Sequence, residues 1–427
     1  MSDTDPKRDF ALEVVRTLTQ AGFTALWAGG CVRDLLLGIS PDDYDVATSA
    51  RPEQVQQLFG ERRTRAIGAS FGVILVHGRR RSPAGDVEVA TFRTEGPYLD
   101  GRRPEHVAFA TPEEDARRRD FTINGMFFDP LAEQVLDFVG GRDDLARKVV
   151  RAIGDPQARF REDKLRMLRA VRMAARFDFE VDTATAQAVR TMANEILVVS
   201  YERIAQELKK MLVHDRRARA IDLTLDLKIL TVILPELLPV VATQGTPAPN
   251  DKWQVTHGTL ELLERPGFEL VLAALLYDAA PEGADAAAAA RQICRRLRLS
   301  TEELDSVSWL IENRRALRQA PQLRLCRLKR LLAEPLIHEL IALARARALA
   351  ETESLADVEF CEAYLRSTPR GEIDPGPLIT GNDLLALGLA PGAKFKELLD
   401  RVRDAQLDGL IHSGHEAIEL VHRMLGD

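Results

Sequence analysis

Along the first 140 residues, short runs rich in β-branched and aromatic side chains alternate with polar punctuation. "TALWAGG", "DYDVAT", "GVILVHG", "DVEVATFR" and "GMFFDP" are each bounded by Gly, Pro or Asp and read as strands. Between them "VRDLLLG" and "PEQVQQLFG" read as short helices, each closed by glycine and the second opened by proline. From about Asp143 the period changes. In "RFREDKLRMLRAVRMAARF", Leu165, Leu168, Val171 and Ala175 fall on one helical stripe, and almost everything that follows reads as helix. The Pro- and Gly-dense "ATQGTPAPN", residues 242 to 250, predicts a loop, and "STPRGEIDPGPLITG", residues 367 to 381, a linker. The pattern predicts an α+β organisation: a mixed sheet with helices first, an all-α remainder after it.

The chain is 427 residues long, which is more than one core usually holds, and two to four compact units are expected. Its longest apolar segments, such as "LVLAALLY", are too short to cross a bilayer, and "MSDTDPKRDF" is charged where a leader would be apolar. No membrane partner and a cytoplasmic location are therefore expected. Four scattered cysteines with no CxxC pair fit a reducing compartment and indicate neither a disulfide framework nor a zinc site. The net charge of -7 disguises local asymmetry. Residues 142 to 176 carry eleven Lys/Arg against five Asp/Glu, and residues 291 to 330 eleven against four. Such segments are either a footprint for nucleic acid or solvated helix faces.

Chemistry concentrates first in "GGCVRDLLLGISPDDYDVATSA", residues 29 to 50. Asp43 and Asp45 stand one residue apart, so on a strand both carboxylates project from one face, and two close carboxylates call for a hard cation such as Mg²⁺. A polar turn entering a strand would look the same. Gly29 and Gly30 end a predicted strand and precede a predicted helix, where backbone N–H groups meet phosphate, and Arg33 adds a guanidinium. Asp34 reads as a cap or ion-pair partner, and Asp42 faces away. Glu88, flanked by Val87 and Val89, is the candidate third carboxylate; three acids on adjacent strands suit two-metal nucleotidyl transfer. In "RRRDFTINGMFFDP", Arg118, Arg119, Asp120 and Asn124 mix cations for phosphate with groups suited to ribose hydroxyls. Asp163, Arg166, Arg169 and Arg172 follow at three-residue steps, an acceptor and donor array suited to a base edge or, equally, a solvated helix face.

Taken in order, "GGCVRD", "DYDVATSA", "VEVATFRTE", "DGRRPEHVAFATPEEDARRRDFTINGMFFDP", "IGDPQARFREDKLRMLRAVRMAARF" and "YERIAQELKKML" resemble the bacterial class II tRNA nucleotidyltransferase and poly(A) polymerase family, of the DNA polymerase β-like superfamily. The resemblance is close over residues 24 to 212. It implies a catalytic head over 1–142, a helical neck over 143–213, a body over 214–366 and a tail over 367–427. It implies that Asp43 and Asp45 bind Mg²⁺. Gly29, Gly30 and Arg33 would meet the triphosphate, and Arg119, Asp120 and Asn124 the phosphate and ribose. Asp163 and Arg166 would read the base, supported by Arg169 and Arg172. The expected partners are CTP, ATP and the 3′ acceptor end of tRNA, with no DNA. The expected reaction is template-independent CCA addition with release of pyrophosphate. Poly(A) polymerases and A-adding enzymes share these motifs, and a non-catalytic RNA-binding protein is the alternative from another class.

Three segments bear further on this resemblance. "TEGPYLDGRRP", residues 94 to 104, resembles the loop such enzymes use to switch from C to A addition. "NGMFF" replaces the more usual "NAM" and is expected to add backbone freedom after Asn124. "WQVTHGTLELLERPGFELVLAALLYDAA" resembles the start of an HD phosphohydrolase region, but Tyr277-Asp278 stands where His-Asp is needed, so His257 and Asp278 lack a full ligand set and no second metal site is expected.

Overall fold

The structure, a computed structural model, describes residues 5–68, 72–78, 84–95, 107–246, 251–279 and 286–426. The chain divides into two compact units, Met1–Pro235 and Glu236–Asp427.

The first unit is built on a seven-stranded mixed sheet. Its strands are β1 Ala25–Ala28, β2 Asp45–Thr48, β3 Thr64–Gly68, β4 Val73–His77, β5 Asp86–Thr91, then, after the separate β6–β7 hairpin pair (Arg93–Glu95 and Val107–Phe109), β8 Phe127–Asp129 and β9 Gln134–Leu136. The order is β3-β4-β5-β2-β1-β8-β9, antiparallel throughout except that β2 and β5 run parallel. The five strands expected from the apolar runs are present, and β3 and β9, more polar edge strands, were not legible in the pattern.

Side-chain alternation sorts the sheet into two faces. Trp27, Val46, Val87 and Val89 join the helix Pro6–Gln20 (α1) in the main core, through Phe10, Val14 and Leu18. Leu26, Ala28 and Ala47 point to the other face, where only a small cluster with Phe92, Ala116 and Phe127 covers them. The acidic residues belong to this thinly covered face. Register sets them side by side: Val46 pairs with Val89, so Asp45 neighbours Glu88 across the parallel strands.

The connections then deliver the site residues. Gly29, at φ 74° directly after β1, turns the chain into the helix Gly30–Leu36 (α2) within one residue, a conformation that favours glycine. The helix Pro52–Phe59 (α3) follows β2. The helix Pro112–Arg117 (α4) starts with a Thr111–Glu114 capping box. After Gly141–Ala146 (α5), the helices are Pro156–Glu162 (α6), Arg166–Phe177 (α7), Thr183–Met192 (α8), Tyr201–Leu212 (α9) and Arg217–Asp226 (α10). The apolar stripe of α7 is buried at Leu168, Val171 and Ala175 as its period predicts.

One sequence expectation is corrected here. Asp163 does not share a helix with Arg166, Arg169 and Arg172: it sits at φ −146° in the break between α6 and α7, where its Oδ1 accepts from the Leu165 amide at 3.0 Å. An aspartate bonding the backbone two residues on competes with helix and turns the chain.

The second unit is helical. The helices Ala286–Arg296 and Thr301–Asn313 pack together, as do Lys252–Leu262 and Ile337–Ala350. Its C-terminal stretch has its own cluster around Leu384, Leu398, Val402 and Val421. Asp278 is buried against Arg347, with 2.6 Å between them, and the Tyr277 ring lies 4.4 Å from that guanidinium. Four arginines of the basic 291–330 segment are ion-paired: Arg296 to Glu236, Arg318 to Glu353, Arg324 to Asp408 and Arg330 to Asp404. Part of that segment's charge is therefore balanced by carboxylates within the fold.

Gly125 of "NGMFF" has an ordinary φ of −90°, so its role is close packing and not freedom. A Cβ there would meet Val139 Cγ2 at 2.7 Å and Ile153 Cδ1 at 2.9 Å. Gly125→Ala is expected to destabilise the chain by about 1–3 kcal/mol through overpacking. A melting curve checks this: Val139→Ala on top of Gly125→Ala should recover part of the lost Tm, and an unchanged Tm for Gly125→Ala would contradict the packing role.

Candidate active site

A cavity of about 490 Å³ opens on the thinly covered face of the sheet, between α2, the loop after α4, and α7. Eight arginines and three aspartates line it. It brings together Gly29, Gly30, Arg33, Asp45, Arg119, Asp120, Asn124, Asp163, Arg166, Arg169 and Arg172 from four separate stretches of chain, so all but two of the residues expected to bind metal or nucleotide line one space. The two others, Asp43 and Glu88, flank Asp45.

At the acidic end, Tyr44 and Val46 are buried while Asp43 and Asp45 are exposed, the alternation expected on a strand, although β2 itself begins only at Asp45. Asp42 uses its backbone carbonyl to accept from Lys7 Nζ at 2.6 Å. Asp45 keeps accessible surface in the cavity yet is closely surrounded by protein. Burial first, then the charges of Asp43 and Glu88, push its carboxyl up to about 7, with Arg119 opposing. A carboxyl raised by neighbouring carboxylates in this way fits a hard cation, which would remove the repulsion. Among the described residues, no three His, Cys, Asp or Glu side chains stand close enough to hold a metal alone. Two carboxylates completed by substrate phosphate and water match how Mg²⁺ is usually held.

A connected network fixes the floor. Arg169 donates from Nε to Asp120 Oδ2 at 2.8 Å; Asn124 donates from Nδ2 to Asp120 Oδ1 at 3.3 Å; Arg33 donates from Nη1 to Asn124 Oδ1 at 2.7 Å. Arg33 is almost fully buried, pairs with Asp34 at 2.7 Å, and lies 4.4 Å from the Phe177 ring. Burial works to raise the Asp120 carboxyl, but the charge and hydrogen bond of Arg169, then Arg166 and Asn124, outweigh it and hold it at about 2.

Arg118, Arg119, Arg166 and Arg172 are held by carboxylates the sequence did not single out. Asp115, on α4, accepts from Arg118 Nε at 2.8 Å and from Arg119 Nε at 3.1 Å. Burial opposes its ionisation, yet Arg119 and Arg118 keep it below the usual carboxylate range. The i, i+3 and i+4 spacing of Asp115, Arg118 and Arg119 was the available signal. From α9, Arg203 donates to Asp163 Oδ2 at 2.6 Å and Glu207 accepts from Arg172 Nε at 2.6 Å. Arg203 and Glu207 are four residues apart on one helix face; only their partners, about 40 positions away, reveal them. Glu162 pairs with both Arg159 and Arg166. The segment 94 to 104 lies outside the described residues from position 96 onward.

The chain is similar to several known proteins. A family model for the poly A polymerase head domain matches residues 25–151, and one for the probable RNA and SrmB-binding site of polymerase A matches residues 178–240. The CCA-adding enzyme of Lactobacillus helveticus is 40% identical over 220 residues, 51% of this chain and 53% of that protein. That of Geobacillus stearothermophilus is 41% identical over 214 residues, 50% and 51% respectively. The chain thus aligns with about half the length of these curated relatives. Among solved structures, the Bacillus stearothermophilus CCA-adding enzyme in complex with CTP superposes with a TM-score of 0.76 at 26% identity, covering 99% of both chains. The Thermotoga maritima CCA-adding enzyme complexed with tRNA shares the fold, with a TM-score of 0.63 at 21% identity over 99% of this chain and 97% of that one.

The Asp120 carboxyl gives a pH test. Its value in the folded chain lies below the ordinary 3.8, so its stabilisation is present above that value and is lost as pH falls through about 2. Asp120→Asn should cost about 2 kcal/mol near neutral pH. In thermal melts the gap between variant and parent should narrow from pH 5 downward. A gap that stays constant to pH 2.5 would contradict the ion-pair account.

Proposed function

We propose that this chain, which belongs to the family of CCA-adding tRNA nucleotidyltransferases and poly(A) polymerases, adds C, C and A from CTP and ATP to the 3′ end of tRNA without a template. The observation that carries the reading is the single cavity in which the Asp45 carboxylate, an arginine field and the adjacent Asp163 and Arg166 side chains meet. The reaction is placed in the cytoplasm, and four buried, unpaired cysteines fit a reducing compartment.

In this reading Asp43 and Asp45 hold Mg²⁺, with Glu88 beside Asp45 on the neighbouring strand adding negative charge. When bound, the ion supplies charge neutralisation at the reacting phosphate and activation of the attacking 3′-hydroxyl. The Gly29–Gly30 turn lets the triphosphate approach the backbone closely, since a side chain at Gly29 would come within 3.0 Å of Arg119. Arg119, oriented by Asp115 and by the Phe127 ring 4.9 Å away, binds phosphate oxygens. Arg33 is a positioning group as well as a cation: it fixes Asn124, which with Asp120 meets the ribose.

Base choice follows from donor and acceptor order. Cytosine and adenine each present an amine donor beside a ring-nitrogen acceptor, and uracil and guanine reverse that order. A carboxylate acceptor at Asp163, held by Arg203, next to a donor at Arg166, held by Glu162, matches the first pair and rejects the second. Arg169 and Arg172 support this reader from α7.

The test is incubation of the purified chain with tRNA lacking CCA and each labelled nucleotide. Incorporation of two C and one A is expected; long A tracts, or A without C, would instead assign poly(A) synthesis or A addition. Asp43→Asn or Asp45→Asn should lower kcat/KM by about a thousandfold, roughly 4 kcal/mol in the barrier. Activity unchanged in both would show that the metal assignment is wrong. Asp163→Ala should lower the preference for CTP over UTP by about tenfold or more with Tm little changed; equal loss of melting temperature and selectivity would make Asp163 a fold residue.

A further inference from the structure

A second cavity of about 440 Å³ adjoins the first, and Arg172 and Arg176 line both. Its other polar residues are Lys210, His214 and Arg216, and no carboxylate lines it. Its walls are otherwise apolar, through Ala175, Met211, Val213 and Ala220. A cleft of one charge sign with low-dielectric walls concentrates field on an anion. Two of the cations are ion-paired, Arg172 with Glu207 and Arg216 with Asp178. Arg176 and Lys210 have no carboxylate partner among the described residues. His214 Nδ1 accepts from the Arg216 amide at 3.1 Å, which leaves Nε2 as a donor.

Position narrows the anion. Along α7 the residues of the base reader stand at the N-terminal end, and Arg176 follows Arg166 by ten residues, about 15 Å. Arg33 meets the C-terminal half of the same helix, at Met173 and Phe177. A nucleotide whose base sits at Asp163 and Arg166 therefore directs its phosphates toward Arg176 and the second cavity.

We propose that this second cavity receives the pyrophosphate leaving group, a proposal that rests on nucleotidyl transfer in the first. In that reaction the RNA 3′-oxygen bonds to the α-phosphorus and the bond from that phosphorus to the bridging oxygen breaks. The electron pair stays with pyrophosphate, and the hydroxyl proton passes to solvent. Pyrophosphate shifts along the shared arginines onto Lys210, His214 and Arg216, which clears the first cavity for the next nucleotide.

Lys210 and Arg216 are exposed and line only the second cavity, so their removal tests it without disturbing the first. Titration calorimetry with magnesium pyrophosphate should show about tenfold weaker binding to Lys210→Ala/Arg216→Ala than to the parent, with CTP affinity within about twofold. Lys210→Arg should bind as the parent does. In the incorporation assay, inhibition by pyrophosphate should weaken by a similar factor. Equal pyrophosphate affinity in parent and double variant would overturn the proposal. So would a raised KM for RNA with pyrophosphate inhibition unchanged, which would assign the cavity to the RNA backbone. If the parent incorporates no nucleotide, the functional reading fails by itself, and the calorimetric comparison still decides the anion site.

Discussion

The ion pair between Asp120, whose carboxylate is largely enclosed, and the partly exposed Arg169 is the contact on which the site depends. It joins the loop that leads into β8 to the first turn of α7, adding a polar tie to the apolar contacts that α7 makes with the sheet through Ala170, Met173 and Ala174. Asp120 continues the connection through Asn124 to Arg33 and Asp34 on α2. Removing Arg169 would leave the enclosed Asp120 carboxylate uncompensated, which costs more than the pair contributes. The arrangement therefore has one low-energy geometry, and that geometry sets the distance between the Arg33 end and the Asp163–Arg166 end of the cavity.

The same logic extends to the other cations. Eight arginines lining one space would repel one another and fold back on themselves without restraint. Asp115 restrains Arg118 and Arg119, Glu162 restrains Arg166, Glu207 restrains Arg172, and Asp163 is itself restrained by Arg203. Each restraint occupies some donors of a guanidinium and leaves its orientation defined. Reading a base with side chains alone, as the chain is proposed to do, demands this kind of preorganisation, because donors free to rotate would satisfy the wrong base as well as the right one.

What was legible in the sequence and what was not follow from the range of the interaction. Alternation across Tyr44, Asp45 and Val46, the positive-φ turn at Gly29, and the apolar stripe of α7 are local, and each could be read along the chain. The α+β division was equally clear from the change of period near residue 143. The break at Asp163 was not, because its three-residue spacing to Arg166 imitates a continuous helix while its side chain bonds the backbone instead. Arg203 and Glu207 escaped because their partners are 40 and 35 positions away. Gly125 was misread as a source of freedom, since only the fold places Val139 and Ile153 against it. The surplus charge of residues 291 to 330 likewise shrank once its arginines found carboxylates from other segments.

The central claim is that protein side chains in a single preorganised cavity select the nucleotide without help from nucleic acid. Its most direct test is equilibrium binding of CTP, ATP, UTP and GTP, each with Mg²⁺, to the chain in the absence of any RNA. The account predicts that CTP and ATP bind at least about tenfold more tightly than UTP and GTP, a difference of roughly 1.4 kcal/mol. Equal affinity for all four nucleotides would contradict it and would place selection in the RNA-bound state.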